Sequence, residues 1–375
     1  MEQVTVKWPE GKIAVGNETR PTLNVNEMEA TGRVADLSLA KRIGLSREMR
    51  IYISLLVVII LLALVSGVLV PGTLTASHLL EIARQAVPLG ITAIGHTFVI
   101  LTGGIDLAVG DIITMTNIVG TDLMRGRAEA GLPVSLLLLF IGAGIGAISG
   151  AIIAYGRVQP LVTTFGMSFV VRGFYLVYSG GTPKGSVSPI LRTIGAGRWG
   201  AVPISLVVFC VIVVAAIIVA NRTTWGRSVF YMGNNPQAAL YSGVPVGRRL
   251  VFAYSMSGLM ASLAGLILSG YIRIASFEIG GADYTLNSVA AGVIGGNTFT
   301  GQGGIFGSVL GALIMTQVTS LMTSMGIGQS GKLIMNGIII VGMVALYSSQ
   351  MGLVSSRRKR AVKGDEADDG QVRSI

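Results

Sequence analysis

Charge is scarce in this chain. Only 12% of its 375 residues are Asp, Glu, Lys or Arg, where soluble domains carry about 25%. Half the usual solvating surface is missing, which excludes the two or three soluble domains that the length alone allows. Cysteine is nearly absent too. The one residue, Cys210, lies in an apolar run and reads as a small core residue, so no intrachain disulfide is possible. The two histidines, His78 and His96, are far apart and lack metal-ligand spacing. His78 reads as a loop residue; His96, inside an apolar stretch, reads either as a pathway-facing group or as a satisfied interior one. There is no G-x-S-x-G elbow and no H-E-x-x-H. The expectation is a chain with no catalytic residue, no metal and no cofactor.

What is present is hydrophobic: 51% of the residues. The run Ile51–Val70 has 20 residues without a charge, enough to cross a bilayer core. Further candidate spans follow at 86–101, 107–124, 132–154, 161–178, 203–220, 250–271, 284–298, 304–325 and 333–350. The fold class is therefore an all-α membrane protein, a polytopic bundle of about ten transmembrane helices. Residues 1–50 form a polar extension with a short amphipathic helix near Leu37–Leu45, 51–350 the membrane domain, and 351–375 a charged tail.

The net charge of +10 does not point to nucleic acid, because the charges sit outside the apolar runs. Residues 221–249 hold four basic groups and no acidic one, and the tail carries Arg357-Arg358-Lys359-Arg360. Basic loops beside apolar helices follow the positive-inside pattern. That pattern places both termini in the cytoplasm, with Arg125 and Arg127 in an outer loop as the exception.

The weak spans are the informative ones. Thr102-Gly103-Gly104-Ile105-Asp106 ends the second, and Gly295-Gly296-Asn297-Thr298 ends the eighth. Glycine-rich polar backbone at membrane depth is tolerated only where protein or a water-filled cavity satisfies it, and broken helices point to a solute pathway. The pathway residues expected are Thr102, Gly103, Gly104, Asp106, Asn287, Gly295, Gly296 and Asn297. Asp106 also suits a cap on the next helix. Arg172 reads as snorkelling outward or pairing with a helix end. Spans two to five and seven to ten begin from opposite sides, as an inverted repeat requires.

Two glycine motifs are weaker than they look. Gly326 to Leu333 nearly spells a phosphate-binding loop, but Leu333 stands where Ser or Thr should bind magnesium, and no strand precedes it. Gly142, Gly144, Gly146 and Gly150 lie in one apolar stretch, where small residues let helices approach closely; Gly258, Gly265, Gly307 and Gly311 read the same way.

The basic loop contains Gly233-Asn234-Asn235-Pro236-Gln237-Ala238-Ala239-Leu240-Tyr241-Ser242-Gly243. An Asn cap, Pro at the first helical position and Gly at the end make a short helix, either a plain connection or a knob that docks into a partner.

At this loop the sequence resembles the permease subunits of bacterial ABC importers for monosaccharides, the ribose, xylose, arabinose and galactose group of the branched-chain amino acid/sugar permeases. Four blocks carry the likeness, in order along residues 50–350: Ile100–Gly110, Pro160–Met167 with Arg172-Gly173, Gly233–Gly243, and Ala290–Gly296 with Gly301–Gly311 behind it. The amino-terminal extension is longer than usual for the group. The resemblance implies a cytoplasmic ATP-binding cassette ATPase dimer that uses the ATP, an external sugar-binding protein, and a second permease chain, identical or homologous. It also implies that Gly233, Asn234, Asn235, Pro236, Ala238, Ala239, Ser242 and Gly243 form the coupling segment for the ATPase. The alternatives are an ion-gradient-driven secondary transporter and an ABC permease for another small solute, such as an amino acid.

Overall fold

A computed structural model describes residues 46–338 and 341–342. The amphipathic segment near Leu37–Leu45 and the charged tail lie outside the described residues. Twelve α-helices follow in order: α1 (Arg47–Leu69), α2 (Ala76–Leu101), α3 (Val109–Met124), α4 (Gly131–Gly156), α5 (Pro160–Ser179), α6 (Pro189–Ala196), α7 (Ile204–Arg222), α8 (Thr224–Asn234), α9 (Pro236–Tyr241), α10 (Val246–Ile272), α11 (Gly281–Ile294) and α12 (Ile305–Ser324). Helical residues continue over 329–338, where the tenth candidate span begins; the rest of that span falls mostly outside the described residues.

Six of these helices, α1, α4, α5, α7, α10 and α12, are long and apolar enough to cross a membrane. Three further candidate spans, α2, α3 and α11, are helices that miss this standard. α3 and α11 have only 16 and 14 residues, and α2 is too polar along its length; burial is what accommodates that polarity. From Ala86 to Leu101 every residue of α2 is buried, as is α3 from Val109 to Thr121. Helices enclosed by protein can carry His96, Asp111, Asn117 and five threonines without presenting them to lipid. The outer helices α1, α5 and α7 instead expose apolar side chains such as Leu61, Phe169 and Val211.

The helices pack with an exchange of partners. The long α10 lies along α4, as α12 lies along α2; α3 lies against α10, as α11 lies against α2. Two related halves of opposite entry would produce this pattern. Glycine makes the tightest contact possible. A β-carbon on Gly146 would overlap the Tyr254 carbonyl, and one on Gly150 would stand 2.7 Å from the Val251 α-carbon. Gly307 packs on Gly295, and Gly311 on Ala291, in the same way. Gly144, on the opposite side of α4, faces open space.

Two expectations are corrected. Cys210 is exposed on α7 rather than in the core, because α7 buries only one narrow side. His78 belongs to the first turn of α2, where the Thr75 hydroxyl caps its N–H. Two small elements have no apolar signature in the sequence: the amphipathic α6, capped by Ser188 with Pro189 behind it, and a hairpin pairing Arg198–Trp199 with Val202–Pro203.

Candidate functional site

Three places in the bundle carry polar groups that apolar packing does not require. The first is a cavity of about 370 Å³, inside the range of about 300–1,000 Å³ typical of small-molecule sites. It lies toward the end of the bundle opposite α9. Arg84, Gln85 and Pro88 of α2, Ser205 of α7, Tyr271 of α10, Tyr284 and Asn287 of α11, and Thr316, Thr319 and Thr323 of α12 line it. Ser205 Oγ and Asn287 Oδ1 are buried there with no protein hydrogen-bond partner. Such groups cost roughly 1–3 kcal/mol each unless a ligand or solvent meets them. Arg84, largely buried in the cavity wall, pairs with Glu81 and lies 4.4 Å over the Tyr271 ring. Burial alone would raise the Glu81 carboxyl, but hydrogen bonds from Arg84 and Gln85 and the charge of Arg198 hold it below its usual range.

The second is a chain of polar residues inside the helices. Asp106 Oδ1 accepts from the Ala108 N–H (3.1 Å), and Oδ2 accepts from the Ser257 hydroxyl (2.7 Å). It holds the unwound start of α3 against α10 and is 1% exposed. Asp111 takes two bonds from Arg172, at 3.0 and 3.3 Å, and one from the Tyr175 hydroxyl at 3.2 Å. Arg172 thus pairs with a carboxylate in the first turn of α3, the helix-end alternative of the two expected. Its side chain is still 46% exposed, past the middle of the 20-residue α5. On α5, Gly166 and Gly173, two turns apart, have nothing of the chain near them. His96 is an interior residue: Nδ1 bonds the Ser288 hydroxyl at 3.0 Å, and Nε2 has no partner.

The third is the segment α8–α9. The Asn235 side chain accepts from the Ala238 N–H at 3.0 Å, Pro236 opens α9, and Gly243 follows with φ +79°. Ala239 is buried, whereas Leu240 is 60% and Tyr241 89% exposed. Arg249 of α10 stacks 4.1 Å over the Trp225 ring of α8 and pins the segment to the bundle.

The sequence-derived pathway residues do not gather at one place. Asn287 lines the cavity. Thr102, Gly103 and Gly104 lie at the opposite end, where Gly103 approaches the Phe299 carbonyl and Gly104 the Tyr254 hydroxyl. Gly295 is packed on Gly307, Gly296 against Ile51, and Asn297 among Gly292, Gly304 and Ser308. That end also holds Gly233, in contact with Leu101 and Gly301. Among the residues that escaped the sequence reading are Ser205, hidden at the first turn of an apolar helix, the cavity threonines of α12, and Asp111 as the partner of Arg172, which lies 61 positions away.

Residues 78–344 match the family model described as "Branched-chain amino acid transport system / permease component". The ribose import permease protein RbsC of Escherichia coli (strain K12) is 33% identical over 294 residues, covering 77% of this chain and 90% of that protein. RbsC of Bacillus subtilis (strain 168) is 32% identical over 76% of this chain and 89% of its own length. The galactose/methyl galactoside import permease protein MglC of E. coli (strain K12) is 32% identical over 80% and 94%. No solved structure matches. With a polytopic helical bundle, a family match over most of its length and relatives covered almost end to end, the chain belongs to this family of membrane transport permeases.

Proposed function

We propose that this chain is the membrane-spanning subunit of an ATP-driven importer that moves a monosaccharide or similar polyol by alternating access. The exposed α9 carries the reading. Leu240 and Tyr241 project from a helix that the rest of the chain anchors but does not cover. A transporter driven by an ion gradient has no use for such a knob; a permease whose ATPase is a separate chain does. Residues 326–333 offer no phosphate cradle: they form a turn leading into a helix, and Gln329 bonds Asp283. The basic residues Arg222, Arg227, Arg248 and Arg249 flank α8–α9, which supports a cytoplasmic position for that end.

The cavity at the other end suits a neutral, hydroxyl-rich solute. It offers unpaired oxygens, threonine hydroxyls, amides and tyrosine rings beside three charged residues of mixed sign, Arg84, Asp283 and Lys332. Relatives named for ribose and galactose import support a sugar, delivered by an external binding protein. A second permease chain fits along α5. A half-exposed guanidinium deep in a span is costly against lipid, and the open glycines let another helix approach closely.

Uptake of labelled ribose and galactose into proteoliposomes tests the reading. Accumulation should require the cassette ATPase, internal-face ATP and the binding protein, and should fall at least about tenfold in Tyr241→Asp, whose carboxylate opposes apolar docking. Uptake that persists without the ATPase and follows a proton or sodium gradient would overturn it.

A further inference from the structure

We propose that α8–α9 acts on the cavity through one interlocked body, formed by the end of α2, the turn over 295–304 and the start of α12. Gly233 and Gly301 are the positioning residues that lock the segment onto it. The proposal rests on the transport reading above.

The lock is made of backbone. A β-carbon on Gly233 would overlap the Leu101 carbonyl oxygen and stand 2.7 Å from the Gly301 α-carbon. Reciprocally, one on Gly301 would stand 2.5 Å from the Phe230 carbonyl and 2.7 Å from the Asn234 nitrogen. Gly301 also has φ +76°, in the left-handed region that favours glycine. Side-chain layers can yield by changing rotamer, but backbone in direct contact passes a displacement on.

Beyond the lock the body is tied by hydrogen bonds. Asn297 donates to the Gly292 carbonyl (2.8 Å) and to the Ser308 hydroxyl (2.6 Å), and accepts from the Gly304 N–H (2.8 Å). The Ser308 hydroxyl in turn shares a hydrogen bond with Thr97 of α2. Thus α2, α11 and α12 are joined to one another beside the segment that would hold the ATPase.

The same three helices line the cavity at their far ends, through Pro88, Asn287 and Thr316. Thirteen residues of helix, about 20 Å, separate Pro88 from Leu101. Pro88 lacks an N–H and leaves α2 one backbone bond short at the cavity wall, so α2 bends most easily there. A push at Leu101 would therefore change the cavity's shape, whereas α5 contributes to neither the lock nor the cavity.

Spin-label distances in the assembled complex, in a Cys210→Ala background, decide the matter. The distance from Gln237, exposed on α9 and outside the docking residues, to Gln302 should stay constant between nucleotide-free and ATP-bound states while Gln237–Val158 changes. In parallel, Gly233→Ala should keep ATP hydrolysis but lower uptake per ATP by about 3- to 30-fold, and Gly144→Ala should leave both unchanged. A Gln237–Gln302 distance that changes as much as Gln237–Val158 overturns the proposal, as does a fixed Gln237–Val158 distance. A wild-type ratio in Gly233→Ala does so as well. If Gly233→Ala fails to assemble, the distances in the otherwise unaltered chain still decide. Failure of the transport reading would show differently, as a wild-type complex without ATP-driven uptake.

Discussion

At the scale of single residues, membrane depth magnifies what each polar group and each missing methyl does. Asp111 is buried and bonded to both Arg172 and Tyr175. Asp111→Asn leaves the guanidinium with a neutral acceptor. Breaking a buried pair costs about 3–5 kcal/mol, but Arg172 is half exposed, so the expected loss is about 1–3 kcal/mol. Thermal unfolding in detergent should show it, and the Asp111→Asn/Arg172→Leu double variant should recover part of it. A double variant destabilised by the full sum of the two single losses would mean the pair contributes nothing specific.

Glycines at helix crossings make the opposite test, since they are silent until something is added. Gly146→Leu pushes a side chain into the Tyr254 backbone, and overpacking of this kind costs about 1–3 kcal/mol or more. Gly144→Leu, two positions away on open space, should change the melting temperature little. The sequence identified this glycine stretch as packing, but not which glycine faces the partner. That depends on where α10 lies, and no local pattern encodes it.

At the scale of elements, legibility followed hydropathy and capping chemistry. The long apolar helices were readable because length and composition alone mark them. The short α9 was readable because Asn235, Pro236 and Gly243 each have one physical reason to stand where they do. The elements α6 and the hairpin were not, because eight residues and a two-residue strand pair leave no periodic signal. The broken ends of α2 and α11 were legible as breaks, yet their place was not. Glycine at membrane depth signals either a solute path or close backbone contact, and here Gly103, Gly295 and Gly296 touch other backbone or packed side chains. The cavity draws on Asn287, which the sequence singles out, and on Ser205 and threonines that follow helical spacing without any motif. Asn287→Ala should raise the sugar concentration needed for half-maximal uptake several-fold with little change in ATP hydrolysis. An unchanged half-maximal concentration would remove it from the solute's path.

At the scale of the whole molecule, the division of labour is visible in what the chain leaves uncovered. It exposes an apolar knob at one end, a polar cavity toward the other, and a helix face bearing a half-covered cation between them. On the proposed function each has its own partner: a soluble ATPase, a delivered solute and a second membrane chain. Native mass spectrometry of the complex from mild detergent should therefore show two permease chains with two ATPase chains. Gly166→Trp on α5 should release single permease chains, whereas the same change at Gly144 should not. A stable single-permease complex in the unaltered protein would contradict the pairing.

The helices that fall short of a spanning length or hydropathy have a consequence for how the chain is made. Unlike their neighbours α1, α4 and α12, α2, α3 and α11 lack the length or the apolar composition of a membrane-crossing helix. During synthesis they must wait in the insertion machinery until a later helix emerges to shield them. Biogenesis therefore cannot proceed one helix at a time. In nascent chains ending after α3, α1 should hold the chain in the membrane while α2 and α3 stay open to protease until α4 is included, and α11 should become protected only once α12 has been made.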